Sequence, residues 1–483
     1  MYVLGIDVGT TGTKTLAVDP EGRVLGRGYQ EYPLRTPRTG WVEQDAEDWW
    51  RAVVSSVQRA TESLDRREAA ALCLSAQGAS MTAVDRDFRP LCPVLTWMDR
   101  RAGEDAAALG RRLGEDAFYR KSGWRLDPGL DAAKLAWMRR RQPEIYAEAA
   151  CFVSTIDFIN GRLTGCAVLD PTSAAIRQLM DIQSGGWDES ILDVLGLGPS
   201  RLPAIRPTGD RIGCLTKAAA SALGLPEGLP VFNGAHDQYC AAVGSGALEA
   251  GQMLLATGTT WVVLGITKRL LYVGKGIAPG IHPVPGLYGA MASLYSAGSA
   301  LNWYTSLVGE DYRALDEKAA LCRESAADLL FYPYLAGAGP THAAPEQRGV
   351  LLGLDLHHSR YDIALALMEG VAFEVRRVLE EFSKQDMPIS RLIMTGGAVR
   401  SRLWSSLTGY VTGCEITGMQ EPETCCMGAA MLAAVGLGWY TDLAACAGRM
   451  IQGDPLPLYD TTARRFYDEK YARYMAAMPA GEA

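Results

Sequence analysis

The sequence predicts a mixed α/β protein made of two related halves, and three observations carry that expectation. The chain has 483 residues, more than one hydrophobic core accommodates at roughly 150 residues per domain. Its opening alternates β-prone runs with glycine turns and has no helix between them. A strand, a threonine-glycine turn and a second strand recur from Met253, which points to an internal duplication.

Each element follows from its residues. Tyr2 to Ile6 is apolar, Gly9 to Gly12 is turn material, Thr13 to Val18 is β-prone, and Gly22 to Tyr32 adds a third extended run. This is a β-meander, not a βαβ unit. Asp45 precedes Trp50, Val53, Val54 and Val57 at helical spacing and caps a helix reaching about Leu64. Ala70 to Leu74 returns to strand, and residues 131–165 read as mainly helical, with Leu135 and Met138 on one stripe. A segment rich in glycine and proline, Gly224 to Gly234, leads through Pro230-Val231-Phe232 to Asp237, an acid just past a short strand. Met253 to Ala256, the turn Thr257 to Thr260 and Trp261 to Ile266 form the second strand-turn-strand. Ile363, Leu367, Val371, Val375, Val378 and Phe382 mark one face of a long helix. Leu392 to Met394 is a strand running into Thr395-Gly396-Gly397 and a helix through Trp404. Gly428 to Val435 is a small-residue helix suited to close packing, and Thr461 to Met475 is a helix that packs back on the body. Glycine content between Gly244 and Gly251 places the boundary, giving domains 1–245 and 246–483.

Composition narrows the function. Lysine and arginine total 47 against 55 acidic residues, a formal charge of −8, which argues against binding nucleic acid or anionic membrane through the overall field. No apolar stretch approaches the roughly 18 residues of a membrane span, and the first residues lack the apolar centre of a signal peptide, so a cytoplasmic protein is expected. The eleven cysteines contain no C-x-x-C pair and read as buried free thiols; the five histidines form no H-E-x-x-H, so no zinc site is expected.

Three turns and one acid carry chemistry. In Asp7-Val8-Gly9-Thr10-Thr11-Gly12-Thr13-Lys14 the glycines let backbone amides approach an anion, the hydroxyls donate, and Asp7 can hold Mg²⁺ through water. Thr257-Gly258-Thr259-Thr260 offers similar donors. Gly396 and Gly397 permit the close backbone approach that a flat ring such as adenine requires. Singly, each is also an ordinary turn; in this order they are what an ATP site split between two related domains demands. Asp237 stands where phosphoryl transfer needs a carboxylate to orient an acceptor hydroxyl and take its proton, although an acid after a strand also caps helices.

These residues resemble the FGGY carbohydrate kinases of the actin-like ATPase superfamily, over nearly the whole chain. Gly5-Ile6-Asp7-Val8-Gly9-Thr10-Thr11 is similar to the family's opening strand and first phosphate loop, and Gly40 to Asp45 to its segment before the first helix. Lys134-Leu135-Ala136-Trp137-Met138 with Asp157 and Leu163-Thr164-Gly165 resembles the first signature, except that Asp131 replaces a small hydroxyl or proline. Gly349, Gly353-Leu354 and Met368 to Ala372 resemble the second. The resemblance implies two duplicated actin-like (ribonuclease H-like) domains flanking an ATP cleft, with ATP and Mg²⁺ as cofactors. It implies Asp237 as catalytic base and Asp7 as the metal-associated acid. Thr10, Thr11, Gly12, Lys14, Thr257, Gly258 and Thr259 become phosphate contacts, and Gly396, Gly397 and Ser401 the wall for ring and ribose. Glu423 and Gly428 resemble the closing family segment and read as structural. Similar kinases are commonly homodimers, so self-association is an expected partner interaction besides sugar and ATP.

The acceptor pocket implied by the resemblance comprises Gln77, Gly78, Trp97, Asp99, Asp237 and Gln238. Glycerol kinases carry an arginine and a glutamate where Gly78 and Ala79 stand, and xylulose kinases usually a methionine-histidine pair. Small residues there should widen the pocket and remove contacts tuned to a three-carbon acceptor. Trp97 reads equally as a core residue or as an apolar wall for sugar carbons. The expected reaction is transfer of the γ-phosphoryl of Mg-ATP to a hydroxyl of a ketose such as xylulose. The alternatives are a kinase of another polyol or an aldonate, or a nucleotide-switched binding protein of the actin or chaperone type.

Overall fold

The computed structural model describes the chain except residues 275, 340, 343–345, 388, 390, 457–460 and 479–483. It comprises two compact units. The first contains Met1–Leu248, Gly280–Gly286 and Glu423–Ile451; the second contains Glu249–Pro279, Leu287–Pro422 and Gln452–Ala483.

The first unit is built on a sheet ordered Arg211–Cys214, Pro230–His236, Ala69–Ala76, Tyr2–Val8, Gly12–Val18, Val24–Glu31. Tyr2–Val8 has neighbours on both sides and is buried apart from a partly open Asp7, which is why it reads as an unbroken apolar run. Val24–Glu31 lies at the edge and alternates half-buried with exposed positions. The three opening strands pair antiparallel, whereas Tyr2–Val8, Ala69–Ala76 and Pro230–His236 run parallel. Val8 pairs with Ala76 and Ala76 with His236, so the residues that follow these strands, Gly9, Gln77 and Asp237, emerge at one sheet edge. Carboxyl ends of parallel strands are where α/β sheets place ligands.

The second unit repeats this plan. From Tyr288–Leu294 its sheet continues through Trp261–Thr267, Gln252–Thr257, Arg391–Gly396 and Glu415–Met419 to Gly453–Leu456. The pairings are again antiparallel, antiparallel, parallel, parallel and antiparallel. Thr257 stands opposite Gly396, so the two turns that follow also share an edge. The duplication inferred from two strand-turn-strand segments therefore extends to six strands. The outermost strand differs in chain order: Arg211–Cys214 precedes its neighbour, and Gly453–Leu456 follows its own.

Within the first unit a smaller sheet joins Glu43–Gln44, Val94–Leu95, Met81–Val84 and Cys151–Ser154, with a separate core around Met81, Leu95, Trp137 and Phe152. Residues 131–165 are mainly helical, as the sequence suggests, and the last strand of this sheet is the one interruption. Helices Asp131–Arg141 and Pro143–Glu148 are followed by Cys151–Ser154 before helix Thr155–Thr164. Phe152 is fully buried there, and pairing with Met81–Val84 agrees with the β-prone Phe152-Val153. Similarly, Gly397–Arg400 forms a 3₁₀ turn, and the helix that follows, Arg402–Thr412, starts only after Ser401.

Helix Thr424–Gly436 lies in the first unit, although a division at 245/246 assigns it to the second half. Absent side chains hold it there. A Cβ at Gly428 would lie 1.9 Å from the Cys240 carbonyl oxygen, at Gly244 2.0 Å from that of Thr424, and at Gly5 1.9 Å from that of Cys426. All eleven cysteines are free thiols, five of them buried. Among the described residues no helix is long and apolar enough to cross a membrane.

Candidate active site

The edge shared by Gly9, Gln77 and Asp237 gathers the acids and amides singled out in the sequence. Asp7 accepts a hydrogen bond from Ser75 Oγ at 2.7 Å across the parallel pair. Its carboxyl is pushed up to about 7, first by burial and then by the negative charge of Asp237, with Ser75 and Lys14 opposing the rise. Two carboxylates thus act on one another in a desolvated place, a state that added positive charge relieves. No cluster of three or more candidate metal ligands exists among the described residues.

Asp237 opens helix Asp237–Ser245 directly after strand Pro230–His236. Its Oδ1 is buried without a hydrogen-bond partner and lies 3.3 Å from His236 Nε2, while the side chain as a whole remains 26% exposed. Gln77 donates from Nε2 to Gln44 Oε1 at 3.1 Å, leaving its own Oε1 buried and unpartnered. Gln238 Oε1 and His236 Nδ1 are also buried and unpartnered. Four such atoms on residues 77 and 236–238 form an unusual concentration, because native interiors leave few polar groups unsatisfied.

Gly78 does not open a wider pocket. A Cβ built there would lie 2.5 and 2.6 Å from His236 Cδ2 and Nε2 and 2.9 Å from Ile176 Cδ1, so the histidine ring occupies the space a side chain would take. The sequence does not mark His236 as a site residue, because its ring meets Gly78 only through the pairing of two strands; the missing side chain at 78 is the trace it leaves.

Other expected residues are engaged elsewhere. Asp99 is fully buried, accepts from the Val42 amide at 2.7 Å, and is clamped by Arg101 Nε and Nη2 at 2.8–3.0 Å. Its carboxylate serves this buried pair, not an open pocket. Trp97, 40% exposed, donates from Nε1 to Thr10 Oγ1 at 3.0 Å and stands beside the first turn as a surface wall, not a core residue. Within that turn, Thr10 O accepts from Gln44 Nε2 at 2.6 Å, Thr11 is exposed, and Gly12 leaves room for the Tyr29 ring. Lys14 Nζ pairs with Glu423 Oε2 at 2.6 Å, which brings Glu423, read as structural, to the same edge.

In the second unit the Thr257 hydroxyl donates to Thr395 O and accepts from the Ala398 amide at 3.1 Å. It ties the two turns together instead of facing outward. Gly258 and Thr259 are exposed; a Cβ at Gly258 would meet only Thr260 O, at 3.4 Å. Gly396, at φ +88°, approaches the Thr257 carbonyl, and an added Cβ would lie 2.6 Å from that oxygen. At Gly397 the nearest atom would be 3.8 Å away, so this face is open. Ser401 caps the following helix through the Trp404 amide at 2.9 Å and donates to Asp316, which engages its hydroxyl.

Comparison with known proteins identifies the family. The model for the N-terminal domain of the FGGY family of carbohydrate kinases matches residues 2–244, and that for the C-terminal domain residues 253–437. The xylulose kinase of Bacillus subtilis (strain 168) is 27% identical over 456 residues, 93% of this chain and 91% of its own. The gluconokinase of the same organism is 27% identical over 455 residues, 90% of this chain and 88% of its own. The crystal structure of a xyloylose kinase from Brucella ovis superimposes with a TM-score of 0.92 at 27% identity, covering 99% of both chains. The chain belongs to the FGGY family of carbohydrate kinases, with their two actin-like ATPase domains, and is accordingly a phosphotransferase with ATP as donor and an alcohol group as acceptor.

Proposed function

We propose that the acceptor is a ketose, with xylulose as the leading candidate, and that Asp237 is the base that takes the proton from its reacting hydroxyl. The observation that carries this reading is the set of four unpartnered acceptor atoms on Gln77, His236, Asp237 and Gln238. A polyhydroxylated acceptor brings several O–H donors together, and buried acceptors without donors are what such a ligand satisfies. The likeness to xylulose kinases at 27% identity supports the same choice.

On this reading Asp237 orients one acceptor hydroxyl for in-line attack and accepts its proton as the new O–P bond forms and the bond from the γ-phosphorus to the β,γ-bridging oxygen breaks, releasing ADP. Trp97 presents an apolar face to the sugar carbons. Thr10, Thr11, Gly12 and Lys14 serve phosphate oxygens, and Gly258, Thr259, Gly396 and Gly397 serve the nucleotide. A divalent cation fits beside Asp7, whose carboxyl is raised by burial and by the charge of Asp237, a state that positive charge relieves. Mg²⁺ characteristically takes one or two carboxylates and completes its shell with phosphates and water. When bound, it would neutralise charge building up on the transferring group.

The test is ADP release with Mg-ATP across pentuloses, hexuloses, polyols and aldonates. The highest kcat/KM is expected with a pentulose. An aldonate as best acceptor would move the assignment to gluconate-type chemistry, and a flat response would remove the ketose reading altogether.

A further inference from the structure

We infer that His236 is a positioning residue for the Asp237 carboxylate, and that Gly78 is glycine because the imidazole must stand in the space of its missing side chain. The inference rests on the reading of Asp237 as the base. The ring is 5% exposed and seated on Gly78, with Nε2 only 2.6 Å from where a Cβ would be. Its backbone is pinned from the other side, since the His236 amide donates to Thr172 Oγ1 at 2.8 Å. With backbone and ring both held, Nε2 has, among the described residues, one acidic neighbour, Asp237 Oδ1 at 3.3 Å.

The tautomer follows from where partners are. Nδ1 is buried and has no hydrogen-bond partner, so a proton there would be an orphaned donor. The proton belongs on Nε2, where the carboxylate oxygen can accept it. In this structure the two atoms approach to 3.3 Å without the alignment of a formed hydrogen bond, and poorly aligned contacts of this kind in catalytic groups tighten when substrate binds. Holding Oδ1 inward fixes the torsion of the Asp237 side chain and leaves the remainder of the group, which carries the exposure, toward the acceptor hydroxyl. Losing that hold misplaces the base by a fraction of its length, and misplacements of about 1 Å lower turnover by about 10²-fold.

Five single variants and one double variant, assayed by ADP release with ATP and xylulose, or the fastest sugar of the panel above, test the inference. His236→Phe fills the same space without an N–H. It is expected to keep the melting temperature and the KM for ATP while kcat falls about 10²-fold. His236→Gln, whose amide nitrogen reaches the Nε2 position, should recover about ten-fold of that loss. A merely space-filling histidine predicts the opposite ranking, and a His236→Phe enzyme within about two-fold of wild-type kcat overturns the inference. Should His236→Phe fail to fold, Gly78→Ala decides. Its Cβ displaces the ring, so kcat should fall in the wild-type background and not fall further in His236→Ala. An equal loss in both backgrounds overturns the coupling. Asp237→Asn, measured in parallel, separates the two levels. If it retains turnover, the base assignment and the inference fall together; if it is inactive while His236→Phe is unimpaired, only the inference falls.

Discussion

Lys134 Nζ donates to the carbonyl oxygen of Ala79 at 2.5 Å and to that of Leu95 at 3.1 Å. The lysine is fully buried, and burial draws its ammonium down to about 8 against the opposing charges of Asp131, Asp99 and Asp127. Ala79 sits at φ +54°, a left-handed conformation that an alanine seldom adopts, directly beside Gly78. One buried cation therefore anchors both segments that lead into the proposed acceptor pocket.

Lys134→Met keeps most of the apolar stem and removes the donor. Two buried carbonyls then lose a charged partner, with an expected loss of about 3 kcal/mol in urea unfolding. The KM for sugar should rise while that for ATP stays near wild type. Equal changes in both would show that the lysine supports the fold without shaping the pocket.

Asp131 and Arg177 form a fully buried pair at 2.6 Å, with Asp157 3.9 Å from the same guanidinium. This explains how Asp131 replaces the family's small residue: the helix start that carries it neutralises a buried arginine. Asp131→Ala leaves that charge undercompensated and should lower stability by about 3–5 kcal/mol. Combining it with Arg177→Met should restore much of the loss, a non-additivity readable by thermal melting.

Gly428→Ala would set a methyl group 1.9 Å from the Cys240 carbonyl, backbone against backbone, where no rotamer offers relief. Helices Asp237–Ser245 and Thr424–Gly436 must part to admit it, at a cost of about 3 kcal/mol. Because Asp237 begins the first of these helices, kcat should fall as well. A variant that loses neither stability nor turnover would show that the two helices separate easily.

Glu374 supplies the pH dependence. Burial would raise its carboxyl, but hydrogen bonding from His342 and the charge of Arg377, with further bonds from tyrosines, hold it down to about 2. A depressed acid contributes stability that is complete above its unfolded value of about 4.5 and is lost as pH falls toward 2. At about 1.4 kcal/mol per pH unit the effect amounts to about 3 kcal/mol. Wild-type stability should therefore drop steeply between these values, and Glu374→Gln, less stable at neutral pH, should show a shallower acid limb in urea titrations.

What could be read along the chain was local chemistry. Asp7 before a glycine-threonine turn, Asp237 after a strand, and the pair Gly396-Gly397 are informative because a residue's identity and its near neighbours already limit what it can do. The repeated strand-turn-strand pattern announced two related units for the same reason, since period-two patterning is a property of contiguous residues. Spatial contacts settled which polar groups remain available for a ligand. Asp99 is consumed by Arg101 and Val42, Ser401 by Asp316, and the Thr257 hydroxyl by Thr395 and Ala398, about 140 positions away. His236 fills Gly78 from the neighbouring strand, and helix Thr424–Gly436 returns to the first unit through three glycines. A hydroxyl or carboxylate has few hydrogen bonds to give, and which partner takes them depends on long-range packing that no short window of sequence contains.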